Sequence, residues 1–306
     1  MHKHLIVLTG PTGIGKSITG ISLAQHFKTQ IISSDSRQIF REMTIGTAVP
    51  NQNELATVKH HFVHSHSIFE NYNVSKYETE AINTINSAFE NNNILLLVGG
   101  SMLYIEAVCN GIDAMPDVDP EIRKILMEKL ENEGLESLRL QLKVLDPEYY
   151  KTVDLKNPNR IIHALEISIM TGKPFSSFRT NNKRIRPFSI VKIGLDCNRN
   201  ELHKKINLRV DQMITAGLET EAGSLYTFKH LNALNTVGYR EFFDFFDGKI
   251  TREKAIELIK RNTRRYARKQ LTWFRNDPDM FWFEPEQINQ IINFIENKIN
   301  GVSVHG

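Results

Sequence analysis

Residues 10–17, Gly10-Pro11-Thr12-Gly13-Ile14-Gly15-Lys16-Ser17, match the pattern G-x-x-x-x-G-K-[ST]. Glycines at these positions let backbone N–H groups turn inward on a phosphate, and a helix N-terminus behind them adds favourable partial charge. Lys16 supplies a point charge, and the Ser17 hydroxyl is the residue that could ligate Mg²⁺. A loop of this kind takes a di- or triphosphate; the bland alternative is a glycine-rich turn with an exposed lysine. The second candidate is Asp35, within Ser33-Ser34-Asp35-Ser36-Arg37-Gln38. An aspartate just after a strand is often only a cap. Facing a phosphate loop across a sheet, it could instead act as a general base. ATPases and GTPases usually end a further strand with an acidic residue for magnesium. Here the apolar run Ile94–Val98 ends in Gly99-Gly100-Ser101, without a carboxylate. The residues therefore leave two chemistries open, a small-molecule kinase and a transferase whose leaving group is pyrophosphate.

These side chains need a scaffold that brings three separate segments to one place. Leu5–Thr9 is a short apolar run ending at Gly10, the pattern of a buried parallel strand. Residues 16–27 place Ile18, Ile21, Ala24 and Phe27 on one helical stripe. Gln30–Ser33 and Asn93–Val98 read as further strands, and Ser189–Leu195 as another. Strands alternating with helices predict an α/β fold, a P-loop NTPase-like parallel sheet flanked by helices. Ligands collect at the carboxyl edge of such sheets, where Gly10–Ser17, Asp35–Gln38 and Gly99–Ser101 all fall. Between 113 and 184 the pattern shows only helix and loop. Asp119-Pro120-Glu121 starts a helix carrying Ile122, Ile125, Leu126 and Leu130, Gly134 offers a stop, and Asn157-Pro158 starts another. The expected organisation is a catalytic core of residues 1–112 and 185–306, with an all-helical insertion domain at 113–184.

Composition is that of an ordinary globular chain: 306 residues, 41% hydrophobic, 24% charged, net charge +3. No apolar run approaches membrane-spanning length, and a strand beginning at Leu5 leaves no room for a targeting peptide. Two cysteines, Cys109 and Cys197, make neither a disulfide framework nor a four-ligand zinc site, so a reducing cytoplasm is expected.

Several segments in order resemble the tRNA dimethylallyltransferases. They are Gly10–Ser17, Asp35–Ala48 with its Ile45-Gly46-Thr47 tail, Val98–Tyr104, Asn157–Glu166, Thr236–Glu241 and Arg268–Phe274. The likeness runs from about residue 5 to 275. It implies transfer of a dimethylallyl group from dimethylallyl diphosphate to N6 of adenosine-37, beside the anticodon of tRNA. Lys16, the loop amides and a Ser17-bound Mg²⁺ would then stabilise the departing pyrophosphate, and Asp35 would accept the amine proton. Arg209 matches a further diphosphate-contacting arginine; by itself it would read as a solvated helix charge.

The tRNA-contacting positions carried over are Asp35, Ser36, Arg37 and Gln38, then Ser101 and Arg123. Asn159, Arg160, Ile161, Ile162 and His163 follow, and then Asn235, Thr236, Val237, Gly238, Tyr239 and Arg240. His163 stands where some relatives carry arginine. The absence of a Cys/His zinc module fits the bacterial form, and the resemblance implies a monomer. The helical insert is expected to close over the anticodon stem-loop while the target nucleotide, turned out of its stack, enters the sheet domain.

Residues 252–275 carry nine Lys/Arg against Glu253 and Glu257, with Arg261, Arg264, Arg265 and Arg268 on one helix face. Such a face is usually only solvated, but an RNA substrate makes it a phosphate track. His60, His61, His64 and His66 fit no structural zinc spacing, and His60-His61 is expected to pack near the site. Trp273, Phe274, Phe281, Trp282 and Phe283 read as core aromatics. The rivals are an isopentenyltransferase acting on free adenine nucleotides, a P-loop small-molecule kinase, and an RNA-binding protein with a structural nucleotide. A mononucleotide substrate would need neither the insert nor the basic helix, and the last rival leaves Asp35 without a role.

Overall fold

The structure, a computed structural model, describes residues 2–113, 115–116, 119–180 and 183–301. Its first half alternates β1 (His4–Thr9), α1 (Lys16–His26), β2 (Ile31–Ser33), α2 (Gln52–Thr57), β3 (His60–His61), α3 (Val74–Ala88), β4 (Ile94–Val98) and α4 (Met102–Asn110). After the insert come β5 (Ser189–Leu195), α8 (Arg199–Thr215), α9 (Leu218–Leu225), α10 (Tyr239–Phe246), α11 (Arg252–Phe274), β6 (Met280–Phe283) and α12 (Ile288–Ile299). The described strands form one six-stranded parallel sheet in the order β3-β2-β4-β1-β5-β6.

Strand alternation decides the layers. Leu5, Val7, Leu95 and Leu97 face one side and pack with Tyr77 and Ile85 of α3, Val108 of α4 and Phe242 of α10. Ile6, Leu8, Leu96 and Val98 face the other, against Leu23 and Ala24 of α1, Ile206 of α8 and Ile295 of α12. Each such fully buried aliphatic contributes about 1.5–3 kcal/mol, so the central strands are fixed by burial on both faces. With the register set, β1, β2 and β4 end together, and the segments that follow them share one edge.

Two edge strands differ from the sequence reading. His60-His61 is the short strand β3, with His61 Nε2 bonded to Gln30 and His60 Nδ1 to the Val58 carbonyl. Phe281, Trp282 and Phe283 form β6, and only one side of an edge strand is covered: Phe281 is exposed, while Trp282 and Phe283 are half-buried. Trp273 is also exposed; Phe274 alone of the five aromatics is buried. Ile18, expected on the buried stripe of α1, is 70% exposed. The helix instead turns Thr19, Gly20, Leu23 and Ala24 inward, and Gly20 brings it within contact distance of Val98.

Residues Gly111–Arg184 form a compact unit of their own. It contains α5 (Pro120–Leu145), α6 (Pro147–Thr152), α7 (Pro158–Thr171) and a 3₁₀ turn (Phe175–Phe178), with no strand among the described residues. Asp119 and Asn157 cap their helices, each ahead of a proline at the first turn. The helix begun at Pro120 breaks at Gly134, whose φ of 78° suits glycine, where the sequence places its end. Leu126, Leu138, Leu142, Leu165 and Phe175 form its core. Asp146 is buried in it and accepts from Tyr149 N, Ser176 N and Ser176 Oγ at 2.6–2.9 Å.

Candidate active site

β1 ends at Thr9, and the chain turns at Gly10 with φ 148°, close enough to β5 that a Cβ would lie 2.6 Å from the Leu195 carbonyl oxygen. Gly15 then caps α1 with left-handed backbone and no side-chain hydrogen bond, and no acid lies in the first turn. The first amides of α1 are therefore free for an anionic ligand. Lys16 Nζ donates to the carbonyls of Gly10 (3.0 Å) and Pro11 (2.8 Å). Burial, reinforced by Arg209 and opposed by Asp35, lowers its pKa to about 7. Ile14 serves through its backbone only, since its side chain is buried in the core.

Asp35 follows β2 and does act as a cap. Its Oδ1 accepts from Arg37 N (2.9 Å) and Gln38 N (3.2 Å). Both bonds fall on one oxygen, and Oδ2 accepts nothing from the described residues. The cap reading and the base reading are thus compatible: one oxygen orients the carboxylate and leaves the other without a partner among the described residues, in a residue that lines two cavities. Ser36 and Ser101 are coupled across the edge, with Ser36 N and Ser101 Oγ at 2.8 Å. Arg37 reaches the carbonyls of Asn232 and Ala233, and Arg209 reaches Thr12 Oγ1 at 3.3 Å. Burial lowers the pKa of both arginines, and the Asp35 charge works against that shift.

Three cavities meet at Asp35 and its neighbours. The first, about 330 Å³, has Thr12, Gly13 and Arg209 at its polar end and Ile206, Val210, Met213, Val237 and Ile259 on its apolar wall, with Asp35 also lining it. The second, about 560 Å³, shares Ser36, Arg37 and Tyr266 with the first and adds Ser101 and several aromatic rings. The third, about 40 Å³, lies among Lys16, Ser17, Asp35 and His60. Ser17 is exposed at the second position of α1, and its hydroxyl bonds to none of the described residues. No cluster of three His, Cys, Asp or Glu among the described residues could hold a metal ion. Ser17 therefore fits a magnesium ion only if phosphate oxygens complete the shell.

The inward face of α11 supplies residues that the motif reading missed. Ile259, Thr263 and Tyr266 line the first cavity. Gln270 is buried and ties the site together: its Oε1 accepts from Thr12 N and its Nε2 donates to the Gly100 carbonyl, each at 2.8 Å. Gly100 permits this, since a Cβ there would lie 2.4 Å from Gln270 Nε2. Glu221 of α9 accepts from the backbone N–H of Thr44, Ile45 and Gly46 and from Tyr239 OH, which fixes the loop that carries Thr47.

Several positions expected to touch tRNA face inward. Tyr239 is fully buried with its hydroxyl on Glu221, and Gly238 is buried with its N–H on Glu241. Ile161 and Ile162 are core residues of the helical unit. The Gln38 amide is engaged with the carbonyls of Thr47 and Ala48. The side chains of Tyr239, Ile161 and Ile162 thus position their segments, whereas Gly238 and Gln38 still line the first and third cavities. Asn235 and Arg240 are exposed, with Thr236 and Val237 half-buried beside the first cavity.

Within the helical unit Arg123, Asn159, Arg160 and His163 are exposed. Arg123 and His163 both lie against the fully buried carboxylate of Glu166, at 3.2 and 3.6 Å. On α11, Arg265 and Arg268 are exposed, whereas Arg264 is held by Asn207.

A family model described as IPP transferase matches residues 38–277. The chain is 51% identical to a protein of Bacteroides fragilis named tRNA dimethylallyltransferase 1, across 97% of this chain and 99% of that one. Among solved structures it is similar to the full-length tRNA isopentenylpyrophosphate transferase of Bacillus halodurans. That identity is 34%, covering 98% of each chain, with a TM-score of 0.73. It is similar also to a eukaryotic dimethylallyltransferase acting on tRNA, at 25% identity over 99% of this chain and 81% of that one, with a TM-score of 0.80.

Proposed function

The chain belongs to the IPP transferase family and is a tRNA dimethylallyltransferase, and we propose on that premise that it moves a dimethylallyl group from dimethylallyl diphosphate to N6 of adenosine-37. The observation that carries the choice of donor is the first cavity. It joins a phosphate loop and Arg209 to an aliphatic wall, with Asp35 also lining it, which suits a ligand that is anionic at one end and branched hydrocarbon at the other. Neither a triphosphate nor a small polar acceptor requires that wall.

The diphosphate lies against the Gly10–Ser17 amides, with Lys16 and Arg209 on its oxygens. The amine arrives at Asp35 Oδ2. As the bond from N6 to the allylic carbon forms, the bond from that carbon to the bridging oxygen breaks, and the amine proton passes to Asp35. Negative charge grows on the departing diphosphate, where the loop amides and two cations are already oriented. Magnesium, held by Ser17 and the diphosphate oxygens, would supply further charge neutralisation there. Arg37, Asn235 and Arg240 of the core, and Arg123, Asn159, Arg160 and His163 of the helical unit, are the proposed RNA contacts, with Arg265 and Arg268 as phosphate contacts. No described helix is long and apolar enough to cross a membrane. We place the enzyme with its RNA substrate in the cytoplasm, acting as a monomer.

The test offers labelled dimethylallyl diphosphate, or γ-labelled ATP, together with either tRNA or AMP. Label moving from the allylic diphosphate to tRNA alone is the expected result. Transfer to AMP at a comparable rate would move the substrate to free nucleotides. Phosphoryl transfer from ATP without prenyl transfer would make the site a kinase.

A further inference from the structure

Most of the aromatic rings lining the second cavity are already committed, Phe40 by burial in the core. Tyr104 stacks on Tyr77 at 3.9 Å, and Tyr77 in turn donates to the Ser33 carbonyl. Tyr72 donates to Glu80 and lies against the His66 ring. Phe69, 61% exposed, is braced edge-on by Phe228 at 4.9 Å. Tyr266 is the exception. Its ring stacks on no other ring, and its hydroxyl bonds to nothing among the described residues. It lines both large cavities and is 37% exposed. Yet its backbone is held firmly, because its neighbours Ala267 and Gln270 are buried and Gln270 is bonded at both ends.

The two cavities differ in chemistry. The first is aliphatic and anion-binding, whereas the second is aromatic, rimmed by Ser36, Arg37 and Ser101. Aromatic faces with a few polar edge groups suit a nucleobase taken out of its stack. We propose that Tyr266 is a specificity-determining residue, the ring on which the displaced adenine stacks as its amine reaches Asp35. This rests on the prenyl-transfer reading and adds to it a group that selects the acceptor. Burial raises the hydroxyl pKa to about 12, so the ring stays neutral across the working range. A purine overlaps the ring more fully than a pyrimidine, so the contact discriminates by base size.

The experiment uses the full chain and an anticodon stem-loop RNA with 2-aminopurine at the target position, without donor. Wild-type enzyme is expected to quench the fluorophore by stacking. Tyr266→Phe keeps the ring and should keep the quench. Tyr266→Leu should lose it and weaken RNA binding about tenfold to a hundredfold, the range for one stacked base. In turnover with the natural base, Tyr266→Leu should raise KM for the RNA while KM for the allylic diphosphate stays within about twofold. A leucine variant that quenches and binds like wild type overturns the proposal. So does a phenylalanine variant that loses as much as leucine, because the ring is then not the platform. Quenching that depends on Tyr266 in an enzyme that transfers nothing from allylic diphosphates would uphold the stacking site and remove the donor reading instead.

Discussion

Gln270→Met isolates the contribution of a side chain that touches no proposed reacting atom. Methionine keeps the volume, so the change removes two hydrogen bonds and leaves no large cavity. The Gly100 carbonyl loses its Gln270 donor inside the protein, and the Thr12 N–H loses its acceptor in a partly buried setting. An orphaned buried group costs about 1–3 kcal/mol, and a partly solvated one less, so the core should lose about 2–4 kcal/mol. At a few degrees per kcal/mol, its thermal transition should fall by about 4–10 °C. The functional effect is separate. Thr12 belongs to the phosphate loop, and Gln270 holds it in place before any ligand arrives; giving up that order should raise KM for the allylic diphosphate about tenfold. The contacts of Arg37, Asn235 and Arg240 should be unaffected, since none of them hydrogen-bonds to Gln270, so any loss of tRNA affinity reports loosening of Tyr266 one turn earlier on α11. Differential scanning fluorimetry and steady-state kinetics with each substrate varied in turn give both numbers. A variant that melts within about 2 °C of wild type, or whose donor KM is unchanged, refutes the reasoning, because one of the two bonds would then carry no weight.

Asp35→Asn keeps an Oδ1 to accept from Arg37 N and Gln38 N, so tRNA binding should survive while kcat falls about a hundredfold or more; wild-type turnover in a rapid-quench assay would remove the base role. Lys16 titrates near pH 7 without ligand, and a bound diphosphate stabilises its charged form, so binding above pH 7 should take up a proton and weaken as the pH rises. Calorimetry in two buffers of different ionisation enthalpy reads that uptake directly, and a donor Kd that is flat from about pH 7 to 9 contradicts it. Arg268→Ala should weaken tRNA binding and lower its salt slope by about one, whereas an unchanged slope returns that face of α11 to ordinary solvation.

What the sequence disclosed follows from how each part of the site is built. The phosphate loop works through consecutive backbone amides, so its chemistry is written in eight adjacent letters, and the apolar strand before it fixes where the loop points. Asp35 was visible for the same reason, as an acid directly after a strand, although only the structure shows the cap falling on one of its two oxygens. Arg209, Tyr266 and Gln270 are single side chains on helices, brought to the loop by packing from far along the chain. Arg209 was accessible through family likeness alone. For α11 the exposed arginines mark one face, and the signal that pointed to the cavity was Thr263, Tyr266 and Gln270 continuing the inward line of Ile259, polar groups where a purely structural helix would be apolar. Segment likeness also cannot tell which way a side chain points, and Ile161, Ile162 and Tyr239 turn into the core from segments otherwise suited to RNA. Strands of two and four residues, such as β3 and β6, are too short for periodicity to show.

The charges explain why so much of the site is tied down before any substrate arrives. Lys16, Arg37 and Arg209 surround the single carboxylate of Asp35, an excess of positive charge in a partly buried pocket. Left free, three long side chains would move apart into water, and the burial that perturbs each of them would be relieved. They do not, because each is anchored through neutral groups: Lys16 on two loop carbonyls, Arg37 on the carbonyls of Asn232 and Ala233, and Arg209 on the Thr12 hydroxyl. Neutral acceptors hold a cation in position without cancelling its charge. The attraction for an incoming diphosphate, and for the charge that builds on it as the allylic bond breaks, is therefore not cancelled by a counter-charge at the anchors. A second carboxylate at the loop would have stabilised the resting protein better and served the reaction worse, which is a physical reason for the strand Ile94–Val98 to end in two glycines and a serine.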